Sequence, residues 1–377
     1  MEMLEIDGLN WMEWVFIYAF YTFCVVQIIW VLYFFARIAF HKHRVNSSFP
    51  PVSVIIAARN EEDNLFKLLP SVLEQKYDEF EVIVVNHQSS DDSSHVLKAM
   101  ARQYPHLKVV EIERSKHLRN GKKLPLTIAI KGASYNHLLF TDADCEPASQ
   151  LWLEQMANQF TKKKEIVLGY GPYRKEKTWL NKIIRLDTIM IALNYLSLAK
   201  GGLPYMGVGR NMGYTRELFL KNNGFKSHYA IQSGDDDLFV QETAKKRNYT
   251  VCISPSAFCF SEPKKTWSDW FEQKSRHFTT TERYGVIKKT LLGIYPLTLI
   301  LMYISFATLY FNNIMSWWIA GVFIGVILVK WILQGMSFVK LAGKDFVWLM
   351  PLWDLFYAIF SPIVYYTSEK STEAKWK

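Results

Sequence analysis

Two aspartates one residue apart, Asp142-Ala-Asp144, stand at the end of a short apolar run, Leu138-Leu-Phe140. The run has the length and bounds of a buried strand, and Pro147 stops it from continuing. Paired carboxylates at the mouth of a buried strand are costly unless a cation joins them. A hard divalent ion suits them, because such ions take oxygen ligands and share them with phosphate groups. The plain reading is an acidic turn ahead of a helix, with Ser149 or Asp144 near the helix start.

A second acidic group, Ser233-Gly-Asp-Asp-Asp237-Leu, leads into a helical stretch through Glu242. Three aspartates at a helix N-terminus favour its dipole. Equally, a carboxylate beside a metal-bound donor can act as a general base. On the residues alone both readings stay open. Gly207-Val-Gly-Arg-Asn211 reads either as a plain turn or as a loop whose backbone approaches a ligand. Residues 266–278 form an amphipathic helix with Trp267, Trp270, Phe271 and Phe278 on one side and Gln273, Lys274, Arg276 and His277 towards another. An interfacial helix is the leading reading, and Arg276 can reach inward to a diphosphate, for which its planar fork is suited.

The elements that must position these groups alternate. Strands over 52–57, 81–85, 108–111 and 138–140 are separated by helical patterns over 61–75, around 95–104, and after Gly121-Lys122-Lys123. That order predicts an α/β fold with a parallel, doubly wound sheet. Ligands of such sheets bind at the carboxyl ends of the strands. The rule puts Ala57-Ala-Arg-Asn-Glu61, Asn86-His-Gln-Ser-Ser-Asp91 and Asp142-Ala-Asp144 on one rim. No Gly-x-Gly-x-x-Gly follows the first strand and no phosphate-cradling Gly-x-x-x-x-Gly-Lys-Ser/Thr loop occurs, which argues against a dinucleotide fold and a P-loop NTPase.

Half of the 377 residues are hydrophobic and 15% are aromatic, with 13 Trp and 20 Tyr. Residues 15–36 and 290–329 carry no formal charge, enough for one and two membrane-crossing helices. A further run, 346–366, is apolar except for Asp354 and holds Pro351 and Pro362, so it reads as a span or as a re-entrant segment. The acidic start (Glu2, Glu5, Asp7, Glu13) is unlike a signal peptide. Arg37, Lys42 and Arg44 after the first span, and Arg283, Lys288 and Lys289 before the second, place the middle of the chain in the cytoplasm, at the inner membrane. The four cysteines (24, 145, 252 and 259) are isolated, which predicts no disulfide in that compartment and matches no zinc spacing. A net charge of +9 suits anionic lipid head groups. The basic residues cluster at membrane flanks, so nucleic acid is not an expected partner. The spans lack the broken-helix pairs of a transporter.

Six stretches, in order, resemble the membrane-anchored bacterial members of the family 2 glycosyltransferases, which have a GT-A fold. They are Val52-Ser-Val-Ile-Ile-Ala-Ala-Arg-Asn-Glu61, Glu81-Val-Ile-Val-Val-Asn, Gly121-Lys122, Thr141-Asp-Ala-Asp144, Gly234-Asp-Asp-Asp-Leu238 and Gln273-Lys-Ser-Arg276. The resemblance implies that Asp142 and Asp144 carry Mg²⁺ or Mn²⁺ on the diphosphate of a nucleotide-sugar donor. It implies that Ala57, Arg59 and Glu61 border the nucleotide with Lys122 nearby, and that Gln273 and Arg276 belong to the donor site. Asp235, with Asp236 as second choice, would deprotonate the hydroxyl of a lipid or glycan acceptor, giving inversion at the anomeric carbon. Asn86-His87 stands where the family has an Asp-Asp pair, which makes His87 the expected nucleotide contact. Gly234 stands where a glutamate is common. His277 replaces the tryptophan tied to processive polymerisation, which favours single transfer over a polysaccharide synthase; an inactive membrane scaffold is the reading from outside enzymes. The expected division is an N-terminal anchor over 1–44, a GT-A domain over 50–265, an interfacial helix over 266–289, membrane helices over 290–366 and a tail over 367–377.

Overall fold

The structure is a computed structural model that describes residues 10–43, 46, 48–115, 121–231, 233–245 and 247–368. Glu2, Glu5, Asp7, Arg44 and nearly all of the tail lie outside the described residues. The chain divides into two units, one spanning His41–Tyr284 and one made of the segment up to Phe40 together with Gly285–Thr367.

In the first unit the chain lays down β1 (Val52–Ala58), β2 (Phe80–His87), β3 (Leu107–Ile112) and β4 (His137–Asp142). Then follow β5 (Cys145–Pro147), β6 (Ile166–Leu168), β7 (Met212–Thr215), β8 (Tyr249–Val251) and β9 (Cys259–Ser261). The seven-stranded sheet has the order β3-β2-β1-β4-β7-β6-β8, and β5 pairs with β9 in a small second sheet. Every residue of β1 is buried, as expected of a parallel strand covered on both faces. Leu65, Leu69, Val72 and Leu73 of the helix Glu62–Leu73 join Val52, Val54 and Ile56 of β1 in one core. The parallel part, β3-β2-β1-β4, contains the four strands legible in the sequence. Beyond it β7 runs antiparallel to both β4 and β6, so the sheet is mixed at that side.

The register levels the strand ends that matter. Ala57 of β1 lies opposite Val85 of β2 and Asp142 of β4, and Ala58 lies opposite Asn86. β4 can lie close to β7 because Gly213 has no side chain: a Cβ there would come within 2.5 Å of Leu139 Cδ2 and 2.7 Å of the Leu138 carbonyl oxygen.

Among the described residues, the second unit contains four helices long and apolar enough to cross a membrane, Trp11–Ala39, Val286–Phe311, Trp317–Lys340 and Lys344–Thr367. Pro351 and Pro362 do not interrupt the last, which runs as a continuous α-helix over Met350–Thr367. Pro351 sits in its first turn, where a missing N–H costs little. One buried polar cluster ties all four together. Lys330 Nζ lies 3.1 Å from Asp354 Oδ2, and the Tyr295 hydroxyl donates to the same carboxylate at 2.9 and 2.8 Å. Lys330 also donates to Gln27 Oε1.

Candidate active site

Asp142 is the last residue of β4, and Lys122 stands just before the helix Lys123–Gly132. Lys122 Nζ is 2.7 Å from Asp142 Oδ1, and the two side chains keep 27% and 29% exposure, so a ligand can reach the pair. Burial works to raise the Asp142 carboxyl, but the charges of Lys122, Arg210 and Arg276 outweigh it and hold the group below the usual carboxylate range. Burial likewise opposes charge on Lys122, and Asp142, Asp235 and Asp144 overcome it and keep the ammonium protonated.

The lysine next in sequence does a different job. Lys123 Nζ donates to the carbonyls of His228, Ile231 and Ser233 at 2.6, 2.8 and 2.8 Å. It thereby pins the loop that ends in the second acidic cluster. Gly234 in that loop has φ +95°, and a Cβ would meet Leu238 Cδ1 at 2.6 Å. The glutamate common at this place in the family would be strained twice over. The three aspartates then divide. Asp236 accepts from the Gly209 N–H at 2.9 Å and the Asp237 N–H at 2.7 Å. Asp237 accepts from the Tyr284 hydroxyl at 2.8 Å and from the Leu238 N–H at 2.7 Å. Asp235 is half-buried and accepts no hydrogen bond among the described residues. Burial first, then the charges of Asp235 and Asp237, push the Asp236 carboxyl up to about 8.

A divalent ion can be tested against the donor set. One ligand atom each from Asp142, Asp144 and Cys145 lies within 4.8 Å of the other two. The Cys145 thiol is buried against Ser261 Oγ at 2.9 Å, and burial keeps its pKa well above the ordinary value. It is a poor ligand for a hard ion, which leaves two carboxylates. That set fits Mg²⁺ or Mn²⁺ sharing its remaining positions with phosphate and water.

Of the other residues singled out in the sequence, Ala57 is buried at the end of β1, while Arg59 and Glu61 are half-buried on the loop that follows. Glu61 accepts from Asn64 Nδ2 at 2.5 Å. His87, at the end of β2, is fully buried at 0% exposure. Burial and the Arg59 charge push its pKa down to about 4, which keeps the ring neutral. Asn86 is engaged with Glu111 Oε2 at 2.8 Å and with the Ser89 hydroxyl.

In the helix Trp267–Thr281, Gln273 Nε2 donates to the Tyr173 hydroxyl at 3.0 Å. The four aromatics do not share one exposed side, because Trp270 is buried whereas Trp267 and Phe271 are exposed. Lys274 is buried as well, donating to Asp187 at 2.9 and 3.1 Å. Arg210 and Tyr173 escaped the sequence reading. Their only signal was an arginine following Gly207-Val-Gly209, a pattern shared with ordinary turns.

Residues 53–221 match the family described as Glycosyl transferase family 2. The chain is 25% identical over 252 residues to "Probable glycosyltransferase YdaM" of Bacillus subtilis (strain 168), covering 63% of this chain and 57% of that protein. It is 31% identical over 121 residues to "Beta-monoglucosyldiacylglycerol synthase" of Trichormus variabilis, covering 32% of this chain and 25% of that one. The matches thus span between a quarter and just over half of these curated relatives. Among solved structures, the mannosyltransferase PcManGT from Pyrobaculum calidifontis, in complex with GDP-Man and Mn²⁺, superposes with a TM-score of 0.55 at 17% identity, covering 93% of this chain and 99% of that one. A likeness at that identity concerns the fold. With the mixed sheet and the level strand ends, the chain has a GT-A fold together with membrane-length apolar helices, and over residues 53–221 it is similar to glycosyl transferase family 2.

Proposed function

We propose that this protein transfers a sugar from a nucleotide-sugar to a lipid or lipid-linked glycan acceptor, with inversion, at the cytoplasmic face of the cell membrane. The observation that carries the reading is Lys122, which pairs with Asp142 at 2.7 Å while its charge is balanced by Asp235 of the second cluster. Carboxylates far apart in sequence therefore share one cationic centre. In this reading Asp142 and Asp144 hold Mg²⁺ or Mn²⁺, which when bound offsets charge on the departing diphosphate. Lys122 and Arg276 hold phosphate oxygens of the donor. The acceptor oxygen attacks the anomeric carbon, the bond from that carbon to the diphosphate oxygen breaks, and the hydroxyl proton passes to the Asp235 carboxylate. Asp236, with its carboxyl raised to about 8, is largely protonated near neutral pH and does not compete as base.

His277 in place of a tryptophan supports single transfer over processive synthesis. The acidic segment before the first span and the basic flanks around the middle of the chain support the cytoplasmic assignment. The test is consumption of nucleotide-sugars by the full chain in lipid, with Mn²⁺ or Mg²⁺ and with excess chelator. Activity that needs the ion and vanishes in Asp142→Asn and Asp144→Asn is expected. Full turnover in chelator overturns the metal role, and binding of partners with no turnover of any donor supports the scaffold reading.

A further inference from the structure

We propose that Arg210 is a further phosphate-binding residue of this site, held in advance by Tyr173 and Gly171 to take a diphosphate oxygen of the donor. The inference rests on the glycosyl-transfer reading above. The Arg210 guanidinium carbon lies 4.5 Å from the centroid of the Tyr173 ring, over its face, an arrangement that fixes a planar guanidinium. Tyr173 is itself fixed, by the hydrogen bond from Gln273 at 3.0 Å and by a backbone bridge to Ser261. Ser261 pairs with Cys145, the residue after Asp144. On the other side, the neighbouring Gly209 N–H donates to Asp236. Arg210 thus stands between the two acidic clusters.

The path of its side chain is kept open by a glycine. A Cβ at Gly171 would come within 2.5 Å of Arg210 Nε and 2.7 Å of Arg210 Cγ. The Nε atom is buried and has no hydrogen-bond partner among the described residues. A buried guanidinium donor without an acceptor is costly, and an arriving phosphate oxygen removes that cost with a charge-assisted bond. With Lys122 and Arg276, Arg210 is the third cation whose charge acts on Asp142. Arg210 therefore joins Lys122 and Arg276 at the carboxylate beside which the donor diphosphate would lie. A phosphorylated lipid acceptor presents the same oxygens, and the experiment separates the two sources.

The full chain in detergent is titrated calorimetrically with UDP, GDP, ADP and CDP in the presence of Mn²⁺, with the matching nucleosides, and with dodecyl phosphate. Arg210→Gln is expected to weaken the preferred diphosphate about tenfold or more, leaving the nucleoside and dodecyl phosphate unchanged. Tyr173→Leu, which frees the guanidinium, is expected to weaken the diphosphate severalfold. Should Arg210→Gln fail to fold, Arg210→Lys keeps the charge without the fork and is expected to lose affinity severalfold. Wild-type affinity for the diphosphate in these variants overturns the proposal while the general reading stands. Selective loss of dodecyl phosphate overturns the donor assignment. Binding of none of the four diphosphates by the wild type overturns the glycosyl-transfer reading and this inference with it.

Discussion

Asp236 commits both carboxylate oxygens to backbone N–H groups, whereas its neighbour Asp235 commits neither. In the proposed reaction that difference makes Asp235 the base. Asp235→Asn should lower the transfer rate by about 100- to 10,000-fold, the range of a lost general base, with diphosphate affinity retained. Asp236→Asn should cost less than about tenfold, so steady-state kinetics of the pair that reverse this order would exchange the roles. Asp236 also carries a pH signature. It ionises near 3.8 in the unfolded chain and at about 8 in the folded protein, so the folded state binds the extra proton between those values. Stability therefore falls as pH rises through that window. Melting curves at pH 5 and pH 8 should differ more in the wild type than in Asp236→Asn; equal spacing would refute the shift. Both acidic clusters were legible as residues. Which aspartate is free was not, because that depends on where Gly209 and Tyr284 come to lie.

At the scale of elements, β4 carries Asp142 and is braced on one side by β1 and on the other by β7. Gly213→Ala would thrust a methyl group at Leu139 and the Leu138 carbonyl. It should cost about 1–3 kcal/mol, the usual range for overpacking, read as a lower denaturation midpoint. No loss would mean that β7 can retreat from β4. β1 to β4 were legible because each is an apolar run bounded by turn residues. β5 to β9 were not, since strands of three or four residues are too short to show a period. The helix Trp267–Thr281 was legible as a helix, but which of its aromatics face inward was decided by packing around Trp270 and by the Lys274–Asp187 pair.

At the scale of the whole molecule, the apolar unit depends on a charge pair placed among hydrophobic helices. Lys330→Met would leave Asp354 buried without its cation, a change that costs about 3–5 kcal/mol. A lower melting temperature in detergent is expected, with recovery in the double variant Lys330→Met/Asp354→Leu; no recovery would show that the pair does more than neutralise itself. Composition and charge-free runs alone determined that this chain has membrane-length helices flanking an α/β middle, because hydrophobic length and strand–helix alternation are local properties. The Asp-x-Asp pair was equally local, two carboxylates at a strand end. Only the tertiary structure decided that His87 is buried, that Asp235 is the free carboxylate, and that Arg210 lies on Tyr173 beside the site. Burial and side-chain pairing are properties of contacts between distant segments, and a residue's type does not state which neighbour will take up its hydrogen bonds.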